Sequence, residues 1–131
     1  MSSFLGKVLF VIVVSMLCIE NSVAQSSYDL RSPDGQVELR IRTSDRLRYD
    51  VLLNGNALLE NCTLSLDIEH KKLGIQPKVL DAKERSNNEV IKPVIRQKFA
   101  QLHDNYNEIR LTIDGGYAVV FRVYNEGVAY R

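Results

Sequence analysis

The chain has 131 residues and nearly balanced charge, with 17 lysines and arginines against 16 aspartates and glutamates. No basic run stands out, so the sequence gives no support to nucleic acid or an anionic membrane surface as a partner. Its length suits one domain of modest size, large enough to bury a core.

The first 24 residues have the pattern of a secretory signal peptide. An apolar run over Val8–Leu17 follows a lysine, and residues 21–24 are small at the positions that a signal peptidase reads. The run is short of the roughly 20 residues of a membrane-spanning helix. Lipid attachment at Cys18 is disfavoured because a leucine precedes it. We predict cleavage after Ala24, export to the periplasm or cell exterior, and a domain over 25–131 that is free of the membrane.

Cysteine usage then leaves Cys62 alone in the mature chain, because Cys18 departs with the signal peptide. No internal disulfide can form, so stability must come from packing. We expect Cys62 to act as a small buried apolar residue.

Alternating apolar residues dominate the first half of the mature chain. The pattern runs over Val37–Ile41 and Leu47–Leu53, with turn residues at 32–35, 43–46 and 54–55. Both segments are predicted to be strands that bury one face, in a meander of hairpins.

The same alternation returns over 64–68, 109–113 and 117–123, where Asp114-Gly115-Gly116 predicts a tight hairpin. Short strands at such intervals favour an all-β fold, an antiparallel β-sandwich. The predicted core comprises Leu39, Ile41, Tyr49, Val51, Leu66, Leu111, Val119, Phe121 and Val123.

The middle of the chain, residues 70–101, is less regular. Residues 83–88 are polar and turn-like, and Pro93 disfavours a central strand position. We expect irregular strands and a long loop there.

Catalytic patterns are absent from the sequence. It has no Gly-x-Ser-x-Gly elbow, and His70 and His103 lack ligand-spaced neighbours, so surface or loop packing is expected for both. Carboxylates in predicted turns are expected to bond their own backbone: Asp34, Asp45 and Asp114. We therefore predict no catalytic, cofactor-binding or metal-binding residue.

The segment His103-Asp-Asn-Tyr-Asn-Glu108 groups polar side chains around one aromatic residue. One interpretation is a loop whose polar groups cap the backbone, with Tyr106 as its buried anchor. The other is a surface that meets a second domain or a sugar.

The chain's end, FRVYNEGVAYR over 121–131, predicts a turn at 125–127 into a strand that has barely begun. Four segments together give a resemblance: YDLRSPDG at 28–35, EVIKPV at 89–94, HDNYNE at 103–108 and this ending. In their order and spacing they resemble the N-terminal domain of glycoside hydrolase family 97. The resemblance covers nearly all of the mature chain.

That resemblance implies a three-part exported enzyme of the α-glucosidase or α-galactosidase type. Its N-terminal domain is a galactose-mutarotase-like super-sandwich, and a separate (β/α)₈ barrel carries the catalytic carboxylates and most of a calcium site. The present chain is expected to be the front part of that sandwich, incomplete at its C-terminal end, with no cofactor of its own. On this basis it should be inactive alone and poorly soluble or oligomeric.

The expected partner is the catalytic barrel, with oligosaccharide as a second one. The candidate interface residues are Tyr106, Asn107, Glu108 and Arg122. The alternative is a stand-alone secreted module that binds carbohydrate or protein. A carbohydrate-binding module should expose aromatic rings on a strand face, whereas Tyr49, Tyr117 and Phe121 lie on predicted core positions.

Overall fold

The computed structural model describes residues 26–95 and 101–131, and in this part of the chain every regular element is a β-strand. The predicted signal peptide, residues 1–24, lies outside the described residues. Within the described ranges there is no helix with the length and apolar character needed to cross a bilayer.

The first sheet contains the first four strands in chain order: β1 (Ser27–Arg31), β2 (Val37–Arg42), β3 (Leu47–Leu53) and β4 (Asn56–Leu64). All three pairings are antiparallel. The predicted meander is therefore confirmed. In β2, the alternation of buried and less buried residues follows the alternation of apolar and polar side chains that a pleated strand imposes.

A short hairpin of β5 (Leu66–Ile68) and β6 (Lys71–Leu73) leads to the second sheet. This sheet contains β7 (Val79–Ile91), β8 (Leu102–Ile113), β9 (Tyr117–Tyr124) and β10 (Gly127–Tyr130). Its order is β10-β9-β8-β7, again antiparallel, so β10 and β7 are its edge strands.

The core lies between the two sheets, as an antiparallel sandwich requires. Leu39 and Ile41 of the first sheet and Leu111, Phe121 and Val123 of the second have no exposed surface. Most of the predicted core is confirmed, with Tyr49 and Val119 partly buried at its margin.

Leu66 is the exception in the predicted core. Its alternation with Leu64 and Ile68 predicted one buried strand, but β4 ends at Leu64 and β5 leaves Leu66 57% exposed. The prediction was wrong because the periodicity that defines a strand does not specify whether another layer covers it. Cys62 is half-buried rather than buried.

Two polar segments predicted as loops are strands. Residues 83–88 lie in the middle of β7, and residues 103–108 lie in β8. These two strands pair along almost their whole lengths. The loop prediction for 83–88 was wrong because β7 is an edge strand, exposed on both faces, that needs no apolar alternation when its backbone is paired. The loop interpretation of 103–108 was wrong because β8 is an inner strand, held by backbone pairing with β7 and β9.

Candidate functional site

Three adjacent strands bring the polar residues of the second sheet together. The register sets Glu108 of β8 opposite Arg85 of β7 on one side and opposite Arg122 of β9 on the other. Tyr106, two residues before Glu108, lies on the same face because alternate side chains of a strand point the same way. We call Arg85, Tyr106, Glu108 and Arg122 the outer-face cluster, because this face points away from the core residues Ile109 and Leu111.

The Glu108 carboxylate is the centre of the outer-face cluster. Arg85 Nε donates to Oε1 at 2.7 Å, and Arg122 Nε donates to Oε2 at 2.6 Å. Arg85 Nη2 also donates to Oε2 at 3.3 Å and to the Tyr106 hydroxyl at 3.2 Å. The Glu108 side chain is only 7% exposed, so both of its oxygens are occupied by guanidinium donors in a site largely closed to water.

Tyr106 forms the floor of the outer-face cluster and is 4% exposed. The Arg122 guanidinium carbon lies 4.3 Å from the centre of its ring, the geometry of a cation–π contact. The Tyr124 ring packs beside it at 5.3 Å. The ring is therefore covered by protein and offers no free face for a sugar.

Burial and pairing act on Glu108 in opposite directions. Burial by itself raises the pKa of its carboxyl, but the hydrogen bonds and charges of Arg85 and Arg122 outweigh burial and hold the pKa below the ordinary value. The same hydrogen bonds raise the pKa of both arginines. Glu108 is therefore an ionised structural anion, which makes it unsuitable as a general acid.

The groups of the cluster that a partner could contact are the two arginine side chains. The side chains of Arg85 and Arg122 are 58% and 25% exposed, although each is held by Glu108. A guanidinium fixed in this way loses little entropy when its remaining donors bind a carboxylate. Among the described residues, no group of three or more His, Cys, Asp or Glu side chains could hold a metal ion.

Asn107 points to the opposite face from the cluster. Its amide donates to the backbone oxygen of Arg31 at 2.8 Å, and its oxygen accepts from Ser86 Oγ at 2.7 Å. It therefore joins β8 to β7 and to the first sheet. It also borders an open cleft of about 460 Å³ between β1 and β7, whose charged lining residues are Asp29, Arg31, Glu84 and Arg85.

The structure thus brings three of the four candidate interface residues together and separates Asn107 from them. Tyr106 is the predicted buried anchor, although it is in a strand rather than a loop. Asn125, in the predicted final turn, accepts a hydrogen bond from the Asp34 amide at 3.0 Å and so serves the domain internally. His70 and His103 are on the surface, as predicted.

Arg85 is the cluster residue that the sequence did not indicate. It lies within residues 83–88, which were interpreted as a turn. If that segment is taken as a strand, Lys83, Arg85 and Asn87 fall on one face, and this spacing is the signal that could have identified it.

Comparison with known proteins identifies the family of this chain. Residues 30–131 match the family model described as Glycosyl-hydrolase 97 N-terminal. A retaining α-galactosidase of Bacteroides thetaiotaomicron is 32% identical over 126 residues, which cover 95% of this chain and 19% of that protein. The chain belongs to the glycoside hydrolase family 97 N-terminal domains.

Solved structures of a family 97 enzyme and of a β-arabinopyranosidase share the fold. A family 97 enzyme of Pseudoalteromonas sp. strain K8 in complex with panose matches with a TM-score of 0.72 and 20% identity. A β-arabinopyranosidase matches with a TM-score of 0.70 and 22% identity. Each match covers 79% of this chain and 17% of the other. The chain therefore spans about a fifth of the length of the proteins it resembles.

Proposed function

We propose that this chain is the non-catalytic N-terminal β-sandwich domain of an exported family 97 glycoside hydrolase, of the α-glucosidase or α-galactosidase type. Its role is to support the catalytic barrel, and the outer-face cluster is the surface that contacts it. The observation that carries this assignment of the surface is the pair of partly exposed arginines held on one buried carboxylate.

The surroundings of the cluster fit a docking role. Lys83 of β7 and Arg110 of β8 are exposed and lie opposite each other in the strand register, on the same face as the cluster. With Arg85 and Arg122 they form a basic area, partly offset by Glu108 and by Asp81, which lies 3.6 Å from Lys83. Such an area complements carboxylates on a partner domain and sets its orientation.

Carbohydrate binding belongs, in this proposal, to the whole enzyme and not to the domain's own surface. Sugar rings stack on exposed aromatic faces, but Tyr106 is covered and Phe121 is buried in the core. Among the described aromatic residues only Tyr130 is more than half exposed. The stand-alone carbohydrate-binding alternative is therefore the weaker one. Calcium, implied for the whole enzyme, is assigned no ligand among the described residues.

A chimaera tests the supporting role. In the Bacteroides α-galactosidase, the segment that aligns with this chain is replaced by this chain. We expect the 131-residue chain alone to hydrolyse no aryl α-glucoside or α-galactoside, and the chimaera to be active. Arg110→Glu in the chimaera reverses a charge on the proposed docking face without touching the cluster. Its activity should fall about ten-fold or more, because small misplacements of a supporting domain are costly.

The matched control is Arg46→Glu, which reverses an exposed charge outside the second sheet. It should leave the activity of the chimaera unchanged. Equal effects of the two substitutions would contradict the assignment of the docking face, and turnover by the chain alone would contradict the non-catalytic role.

A further inference from the structure

The two longest strands of the second sheet extend beyond their neighbour. β8 pairs with β9 only as far as Tyr106, where β9 ends and a turn leads into β10. β7 and β8 continue together for four more pairs, the last of which sets Ile91 opposite Leu102. We call residues 88–91 and 102–105 the arm. The arm is therefore a product of the strand register within the domain.

The outer face of the arm continues the face of the outer-face cluster. Because alternate side chains of a strand share a face, Glu89 and Ile91 follow Arg85 on this side of β7. Asp104 and Leu102 of β8 lie opposite them. Along the strands, the face changes from basic residues to a pair of carboxylates and then to a pair of apolar side chains.

Two features of the arm are unfavourable in the chain by itself. Glu89 and Asp104 lie directly opposite each other, and like charges in that position repel. The Asn87 amide donates to Asp104 at 3.1 Å, but no described side chain is paired with Glu89. Next to them, Ile91 and Leu102 are 45% and 41% exposed. A partner that brings a cation and an apolar surface relieves both.

We propose that the arm is a second point of contact between this domain and the catalytic barrel. Ile91 and Leu102 pack on an apolar surface of the barrel, and a lysine or arginine of the barrel lies against Glu89 and Asp104. This contact depends on the proposed function, in which the barrel covers the outer face.

The charge pattern of the outer face determines the orientation of the barrel. Glu89 and Lys83 are six residues apart on one strand, which separates them by about 20 Å. A partner that covers both needs carboxylates near Lys83 and Arg110 and a cation near Glu89. The reversed orientation would set like charges together at both ends, so the pattern selects one of the two.

A second copy of this chain fits the outer face less well than the barrel does. A rotation that places Glu89 of one copy on Lys83 of the other also places Ile91 on the row of Asp81. The Asp81 side chain is 51% exposed. The apolar end of the arm would then lie against a charge, whereas a different partner can supply an apolar surface there.

Two matched substitutions in the chimaera test the contact. Ile91 and Val90 are neighbouring aliphatic residues of similar exposure, 45% and 49%, on opposite faces of the arm. Ile91→Ser should lower kcat/KM about ten-fold, because a loosened supporting domain misplaces the site that it supports. Val90→Ser should leave kcat/KM unchanged. Equal effects of the two, or no effect of Ile91→Ser, would overturn the arm contact.

The same experiment separates this inference from the proposed function. A chimaera that is active and sensitive to Arg110→Glu, but insensitive to Ile91→Ser, contradicts the arm contact alone. An inactive chimaera contradicts the supporting role, and the arm contact with it.

Glu89→Gln gives effects of opposite sign in the two proteins. In the 131-residue chain it removes the repulsion from Asp104, so urea unfolding should show equal or higher stability. In the chimaera it removes a partner of the barrel's cation, and activity should fall about ten-fold. Glu84→Gln, an exposed carboxylate on the other face of β7, is the control and should leave activity unchanged. A less stable chain, or a chimaera with full activity, contradicts the proposal.

Amide hydrogen exchange measures the contact without reference to activity. A ribbon of two strands is marginally stable alone. The arm amides should therefore exchange readily in the 131-residue chain and about ten-fold or more slowly in the chimaera. The amides of 109–113, which lie between β7 and β9 in both proteins, are the internal control. Equal exchange of the arm in the two proteins would overturn the proposal. Protection that grows with the concentration of the chain alone would place a second copy on the arm and overturn it too.

Discussion

At the scale of single residues, Glu108 shows how a charge can be buried in a small sandwich. Desolvation of a lone carboxylate is costly, but two guanidinium groups supply short hydrogen bonds to both of its oxygens. A comparable arrangement on the first sheet sets Glu38 between Arg31 and Arg40, at 3.2 and 2.8 Å. Those arginines are 64% and 49% exposed, so water screens the pairs.

The substitution Glu108→Gln removes the charge that holds Arg85 and Arg122 and leaves two cations side by side. We expect a loss of about 1.5–3 kcal/mol in the free energy of unfolding, the range for buried hydrogen bonds to charged groups. Glu38→Gln, the matched control, should cost less than about 1 kcal/mol. Urea unfolding at neutral pH measures both, and equal losses would contradict the role given to burial.

The lowered pKa of Glu108 predicts how the difference in stability between the unchanged chain and Glu108→Gln depends on pH. A carboxyl whose pKa is depressed in the folded state stabilises the fold above its unfolded value, and that stability disappears as pH falls through the folded pKa. The ordinary value is 4.5. The stability difference between the unchanged chain and Glu108→Gln should thus be constant near neutrality and shrink in acid below about pH 4.5. A difference that grows there would contradict this assignment.

At the scale of elements, Gly74 fixes the β5–β6 hairpin to both sheets. Its oxygen accepts from the Leu47 amide at 2.8 Å, and its amide donates to the Tyr117 hydroxyl at 3.1 Å. Its φ is +83°, and a Cβ there would collide with the carbonyl oxygen of Leu64. The hairpin can approach the sandwich this closely only because the residue has no side chain.

Gly74→Ala should therefore destabilise the domain more than Gly55→Ala does. Gly55 has a similar φ of +81°, but the space around its would-be Cβ is open. Both substitutions incur the cost of a left-handed alanine, about 1 kcal/mol, and the collision at Gly74 should add about 1–3 kcal/mol. Thermal and urea unfolding of the two variants measure the difference. Equal losses would mean that β6 moves away at little cost.

At the scale of the whole molecule, the two sheets share one core, and stability depends on which side chains they enclose. Leu39 and Leu66 have the same apolar side chain and both lie in alternating segments, yet the first has no exposed surface and the second is 57% exposed. The burial of a leucine therefore depends on the opposite sheet more than on its own strand.

Substitution of each leucine by alanine should distinguish the buried environment of Leu39 from the exposed environment of Leu66. Leu39→Ala removes atoms from a closed core and should cost about 2–5 kcal/mol in the free energy of unfolding. Leu66→Ala, at an exposed site, should change it by less than about 1 kcal/mol. Denaturant titration of both variants is the measurement. A large loss at Leu66 would indicate that a further layer covers β5 in solution.

The sequence by itself determined the fold class, the strands β2, β3 and β9, and their buried faces. In a segment where apolar residues alternate, such as Val37–Ile41, the alternation that predicts a strand also shows which face of that strand is buried. The order of four short segments indicated the family. The position of Tyr106 as the one aromatic residue among polar ones indicated a buried anchor.

Only the tertiary structure decided the polar strands and the cluster that they form. β7 has no apolar period, so its residues show no strand signal until β8 pairs with it and supplies the backbone partners. Arg85 and Glu108 are far apart in sequence, and their contact depends on a register that side-chain pattern alone does not specify. The exposure of Leu66 could not be predicted either, because burial depends on the opposite layer and not on the strand itself.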